Sequence, residues 1–142
     1  MHTEKWKLGW KRPVILHNKP TSWMWMVSYP GELRMGEYVD IGAFTYINAV
    51  NGVIIGENVE IGSHCAIYSE STIDGKKGMV VIEDDVCIGS HSTVMPGVTI
   101  GRGTTIGAHS FVSKNIPANV VAYGVPATPA GEIIKRKCGC HG

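Results

Sequence analysis

Three histidines stand in near-identical settings: "IGSHCA", "IGSHST" and "IGAHSF" place His64, His91 and His109 two residues after a glycine. An imidazole changes charge near neutral pH, so each could accept a proton from a nucleophile. The alternative for each is an ordinary solvated surface residue. Two polar stretches could hold a hydroxylated ligand. "INAVNGVI" offers Asn48 and Asn51, and "IYSESTIDGKKGMVV" offers Ser69, Glu70, Ser71, Thr72, Asp74 and Lys77. Here the alternative is a solvated turn.

The elements that must position these groups follow from one spacing. An aliphatic residue recurs six positions apart, at Met35, Ile41 and Ile47, then Ile55, Ile61, Ile67 and Ile73. It continues at Ile82, Ile88, Val94, Ile100, Ile106 and Val112. Neither a helix nor a simple strand has that period, so the signal is an internal repeat. Four residues after most anchors comes a small or β-branched residue: Val39, Thr45, Val59, Cys65, Ser71, Val86, Ser92, Val98, Thr104 and Ser110. An even separation puts both on one face of a strand, the predicted core. The spacing fails twice, after Ile47 and after Ile73, and the two polar stretches sit at or beside those faults. Loops that interrupt a rigid repeat are where function is grafted.

"IGENVE", "IGSHCA", "IGSHST" and "IGAHSF" resemble the hexapeptide-repeat acyltransferases, over about residues 33–127. The resemblance implies an all-β, left-handed parallel β-helix of about four coils, roughly 35–54, 55–72, 73–93 and 94–111, with a short C-terminal helix. That handedness is an exception to the usual crossover rule. Residues 1–32 are then an N-terminal extension, with "SWMWMVSYP" as a strand capping the first coil. Trp23 and Trp25 within it are candidates for packing on a neighbour or stacking on a sugar. Residues 33–116 form the β-helix, and 117–142 a loop, a helix and a tail, the chain leaving the coil at Pro117.

Stacked coils would bring residues one coil apart into contact. His91 and His109 then stack, and His64 lies over Asp85 if the second fault adds three residues. On that reckoning Asp85 orients His64 as the base, His91 is the alternative base, and both faults share one corner beside His64. Asn48, Asn51, Ser71, Thr72, Asp74 and Lys77 become the acceptor contacts.

The stretch from Val86 to Ala127 resembles acetyl-CoA-dependent sugar O-acetyltransferases of the galactoside and maltose type, and nucleotide-amino-sugar N-acetyltransferases. The resemblance implies a homotrimer binding acetyl-CoA in a groove between subunits. The Ser90 N–H would face the thioester oxygen, and the backbone at Ala108 would hold the pantetheine arm. Lys114, Lys135 and Arg136 would meet the phosphates, and Tyr123 would border the adenine. The family's catalytic histidine position falls at Thr72, and that of serine acetyltransferases near Ala49. A hydroxyl wants a general base more than an amine does. Transfer to the amino group of a nucleotide-linked deoxy amino sugar, in surface polysaccharide synthesis, is therefore expected. Sugar O-acetylation is the alternative.

Bulk composition is consistent with this reading. The chain has 142 residues, 44% hydrophobic, enough for one domain. A net charge of +1 gives no reason to expect nucleic acid or an anionic membrane. No apolar run is long enough to span a bilayer, and the N-terminus lacks a signal-peptide core, so a cytoplasmic location is expected. Cys65 and Cys87 read as small core residues, whereas Cys138, Cys140 and His141 form a tail with three candidate metal ligands; no metal is expected. Two rivals keep the fold and change the function. A γ-type carbonic anhydrase needs three histidines converging on zinc, but its pair five apart in one coil is absent. A non-catalytic trimeric scaffold needs no site at all.

Overall fold

The computed structural model describes residues 5–133. Its short strands line up on three faces, giving a left-handed parallel β-helix of triangular section. The first face carries β1 (Met26–Ser28), β4 (Tyr46–Asn48), β7 (Ala66–Tyr68), β10 (Thr93–Val94) and β13 (Phe111–Val112). The second carries β2 (Leu33–Met35), β5 (Val53–Ile55), β8 (Val80–Ile82) and β11 (Thr99–Ile100). The third carries β3 (Asp40–Ile41), β6 (Glu60–Ile61), β9 (Cys87–Ile88), β12 (Thr105–Ile106), β14 (Val120–Gly124) and β15 (Ala127–Glu132). The pairings are parallel until β15 turns back antiparallel on β14.

The core is the column of predicted anchors. Ile47, Ile55, Ile67, Ile82, Ile100 and Ile106 are fully buried. The smaller inward residues have a second task. A tight corner leaves carbonyls pointing inward, and a buried carbonyl needs a donor. Thr45 Oγ1 donates to Gly62 O at 2.8 Å, Ser92 Oγ to Gly107 O at 3.1 Å and Thr104 Oγ1 to Pro117 O at 2.6 Å. A hydroxyl in the core is thus a corner fastener rather than an exception to burial.

Each coil must also turn. The residues at the corner between the third and first faces are left-handed, with φ of 66° at Phe44, 58° at His64, 60° at His91 and 58° at His109. Tyr38, Asn58, Asp85 and Asn119 do the same between the second and third faces. Asn, Asp and His are the non-glycine residues enriched in that region, so the three histidines serve the backbone before any chemistry.

Four expectations are corrected. Ile73 is not an anchor: it is 97% exposed in a loop between β7 and β8. Ser71 is not inward either; Ser69 takes that place, fully buried, its hydroxyl accepting from the Asn51 N–H at 2.9 Å. The chain does not leave the coil at Pro117, because Ile116 bridges Ile100 and β14 still pairs with β12. Of the expected C-terminal helix, Ala127–Glu132 is strand, and residues 134–142, with the Cys138–Cys140–His141 tail, lie outside the described residues.

At the other end β1 pairs with β4 and closes the first coil. Trp25 is buried in the core, whereas Trp23 is 53% exposed. With Trp10 they line a cavity of about 160 Å³.

Rungs approach most closely where glycine follows an anchor. A Cβ on Gly89 would sit 2.5 Å from Ala108 N and 2.8 Å from its Cα. Gly89→Ala is therefore expected to lower the unfolding free energy by about 1–3 kcal/mol. Gly31→Ala, with open space at that position, should stay within about 0.5 kcal/mol. Urea unfolding at one protein concentration checks both.

Candidate functional site

One corner of the prism is a straight, repeating wall. The pairs Ser63–His64, Ser90–His91 and Ala108–His109 follow Gly62, Gly89 and Gly107 on successive rungs. The imidazoles form a ladder: His64 and His91 stack at 4.7 Å between centroids with planes 2° apart, and His91 and His109 at 4.8 Å and 12°. Phe44 continues it one rung below His64, at 5.2 Å. The histidine N–H groups tie rung to rung, from His64 to Ala43 O and from His91 to Ser63 O, each at 3.0 Å, and from His109 to Ser90 O at 2.9 Å. The N–H groups of Ser63, Ser90 and Ala108 have no partner among the described residues. They form a row of donors at rung spacing, suited to the carbonyls of a long, thin ligand or to a developing oxyanion.

The expected His64–Asp85 pair does not form. Asp85 lies over Asn58, whose Nδ2 donates to Asp85 Oδ1 at 2.7 Å, and these two are 27 residues apart in sequence. The coil offset here is thus 27, not 21, because Ile73 mimics an anchor inside a longer insertion. His64 consequently meets His91, and Asp85 sits one side of the triangle away. Nor does His64 stand beside the faults. Both insertions leave the far end of the first face, between β4 and β5 and between β7 and β8, with the full strand β7 between them and His64. Directly behind His64, burial pushes the Cys65 thiol up from its ordinary value. It donates to Gly89 O at 3.3 Å, a packing thiol rather than a nucleophile.

A second feature lies on the outside of the first face. The register aligns Tyr46, Ala66, Thr93 and Phe111 in one outward column, and Asn48, Tyr68 and Met95 in the next. Small Ala66 and Thr93 between Tyr46 and Phe111 leave a trough. The start of the insertion, Glu70 to Ile73, forms its rim. The result is a cavity of about 520 Å³ lined by these aromatic residues with Asn48, Glu70, Ser71, Thr72 and Met95. Tyr46 and Tyr68 lie 6.1 Å apart, and Tyr46 Oη is 2.6 Å from Ser28 Oγ.

Three of the predicted acceptor contacts, Asn48, Ser71 and Thr72, are therefore together. Asn51, Asp74 and Lys77 are not in the lining. Asn51 Nδ2 donates to Ser69 O at 3.0 Å. Asp74 closes its own turn, the Lys76 N–H holding its carboxyl below the ordinary value. Of the other predicted residues, Ser90, Ala108 and Tyr123 share one edge, since Tyr123 lies over Gly107. Lys114 is across the first face, and Lys135 and Arg136 lie outside the described residues.

Sequence reasoning missed Tyr46, Tyr68, Thr93, Met95 and Phe111. The signal was present: each flanks an inward anchor and so points outward. No three of His, Cys, Asp and Glu converge among the described residues. The stacked imidazoles present ring faces to one another rather than nitrogens to one point.

The bacterial transferase hexapeptide (six repeats) model matches residues 79–114. The putative colanic acid biosynthesis acetyltransferase WcaF of Escherichia coli K12 is 33% identical over 119 residues, covering 78% of this chain and 64% of the relative. A hexapeptide-repeat acetyltransferase of Vibrio cholerae, solved with acetyl coenzyme A, superposes with a TM-score of 0.72 at 25% identity, over 78% of this chain and 66% of the other. AntD, an N-acyltransferase from Bacillus cereus solved as a variant with dTDP-4-amino-4,6-dideoxyglucose and coenzyme A, shares the fold. Its TM-score is 0.65 at 20% identity, over 84% of each chain. The chain spans 42–64% of the length of the first curated relatives it matches.

With Asp85 committed to Asn58, Asp85→Ala is expected to cost about 1–2 kcal/mol of stability and leave the NMR ring signals of His64 in place. A shifted His64 ring would return Asp85 to the site.

Proposed function

We infer that this hexapeptide-repeat chain is an acetyl-CoA-dependent acetyltransferase acting on a sugar. Its acceptor is the amino group of a nucleotide-linked deoxy amino sugar, in cytoplasmic synthesis of a surface polysaccharide. The observation that carries the reading is the row of unpaired N–H groups at Ser63, Ser90 and Ala108, on a corner stripped of bulk by its glycines. Acetyl-CoA would lie along that corner. The Ser90 N–H would stabilise the oxyanion as the thioester carbon becomes tetrahedral, and Ala108 would hold the pantetheine arm. Tyr123, exposed on the same edge, would border the adenine.

The groove on the first face would receive the acceptor. The groove opens beside the corner, Thr93 and Phe111 following His91 and His109 by two residues, and its insertion rim lies at the far edge of the same face. In a homotrimer the corner of one subunit would meet the groove of its neighbour, and Lys114 would reach the phosphates from across that interface. Holding both reactants this way supplies the proximity that makes transfer efficient.

The acceptor nitrogen attacks the thioester carbon, a proton leaves the nitrogen, and CoA departs as the thiol. His64, exposed beside the Ser63 N–H on the same corner, is the proposed proton acceptor, with His91 as the alternative. That same exposed imidazole favours a second reading, transfer to a sugar hydroxyl, which needs a base more.

Release of free thiol from acetyl-CoA over a panel of sugar nucleotides tests the activity. His64→Ala is expected to lower kcat by about 10²–10⁴-fold at saturating acetyl-CoA. An undiminished kcat would remove His64 from the mechanism. Absence of acetyl-CoA binding at millimolar ligand would favour a scaffold instead.

A further inference from the structure

The groove on the first face is an aromatic trough with one carboxylate in it. Its rings come from Tyr46, Tyr68 and Phe111, and its acid from Glu70. Glu70 is fixed by its neighbours. Ser69 before it is buried and bonded to Asn51. Glu70 itself bridges Lys77 across the mouth of the insertion, where the Ser71 N–H donates to Lys76 O at 2.8 Å. These bonds hold the backbone and leave the side chain uncommitted: among the described residues the Glu70 carboxylate has no hydrogen-bond or ion-pair partner. The nearby Lys76 ammonium pairs instead with Asp74, at 3.9 Å.

A half-buried carboxylate without a cation among the described residues, in a cavity it shares with three aromatic rings, is chemically complementary to an ammonium group. The carboxylate supplies a charge-assisted hydrogen bond, and ring faces attract a cation through their quadrupoles. A hydroxyl in the same place can still hydrogen-bond the carboxylate, but it carries no charge to neutralise it and gains nothing from the ring quadrupoles. We propose that Glu70, with Tyr46, Tyr68 and Phe111, receives the acceptor's amine as its ammonium ion and so selects amino sugars over their hydroxyl counterparts. The inference deepens the acetyltransferase reading, which supplies the identity of the ligand. Asn48, Ser71, Thr72 and Thr93 around the trough are then the partners for the sugar hydroxyls. Glu70 acts here in recognition; the ammonium first gives one proton to the base of the transfer step, His64 as proposed above, and the free amine then attacks, the second proton leaving the nitrogen with CoA as its thiol.

The test is a binding measurement that needs no turnover. Calorimetric titration compares dTDP-4-amino-4,6-dideoxyglucose with the same compound carrying a 4-hydroxyl. The native protein is expected to prefer the amine by roughly 10- to 100-fold, the range for a hydrogen bond to a charged group. Glu70→Gln, close to isosteric, should abolish that preference while retaining the native circular dichroism and acetyl-CoA affinity. Glu70→Asp should keep part of it. A preference that survives Glu70→Gln would overturn the proposal, as would equal or undetectable binding of the two sugars by the native protein. A preference that depends on Glu70 without acetyl-CoA turnover would sink the acetyltransferase reading and leave the amine recognition standing.

Discussion

Successive coils stack at the strand-to-strand distance of about 4.8 Å, and at the corners that distance leaves no space for a side chain. The glycine at positions 62, 89 and 107 is the consequence. Everything proposed for the straight corner descends from it. Removing side chains from one row lets the rungs' backbones approach closely, and the N–H groups of the next row, unpartnered among the described residues, then recur rung after rung in a line. The same closeness aligns the imidazoles of His64, His91 and His109 ring over ring. Wall, donors and ladder are three expressions of one packing limit.

The period of six was legible because it is a core signal: an inward aliphatic residue on each side of a triangle cannot be replaced by a polar one without cost. Nearly all the predicted anchors are buried for that reason. The site was less legible because it depends on how many residues lie outside the period. Ile73 kept the spacing while standing in solvent, so the insertion looked three residues long and put Asp85 under His64. An apolar residue in a loop and one in a core are the same letter. Only the partner across the rung, Ile88 for Ile61 and Val94 for Ile67, separates them. The histidines carry two readings at once. Their repetition suggested chemistry, yet their left-handed backbone is enough to explain why His, Asn or Asp is found there. Exposure on the donor corner, not repetition, is what keeps His64 in the proposed mechanism.

Regular and irregular parts of the chain share the labour. The uninterrupted coils after Ile82 extend the straight corner that begins at Ser63 and His64. The trough spans both parts, with Tyr46, Tyr68 and the insertion's Glu70 from the interrupted coils and Thr93, Met95 and Phe111 from the regular ones. Outward positions of a solenoid are free of the core's demands, so they can be altered for a new acceptor without touching the fold.

The two ends of the prism have a further consequence. A stack of parallel strands exposes unpaired N–H and C=O groups at both ends, an invitation for another copy to continue the stack. Here β1 ends the first face, with His17 bridging Val27 beyond it, and on the third face β15 folds back antiparallel over β14, with Pro129 in that outer strand. Reversed direction and a residue without an N–H spoil the template. On the third face, then, the described chain ends in a strand that a further parallel rung would pair with poorly.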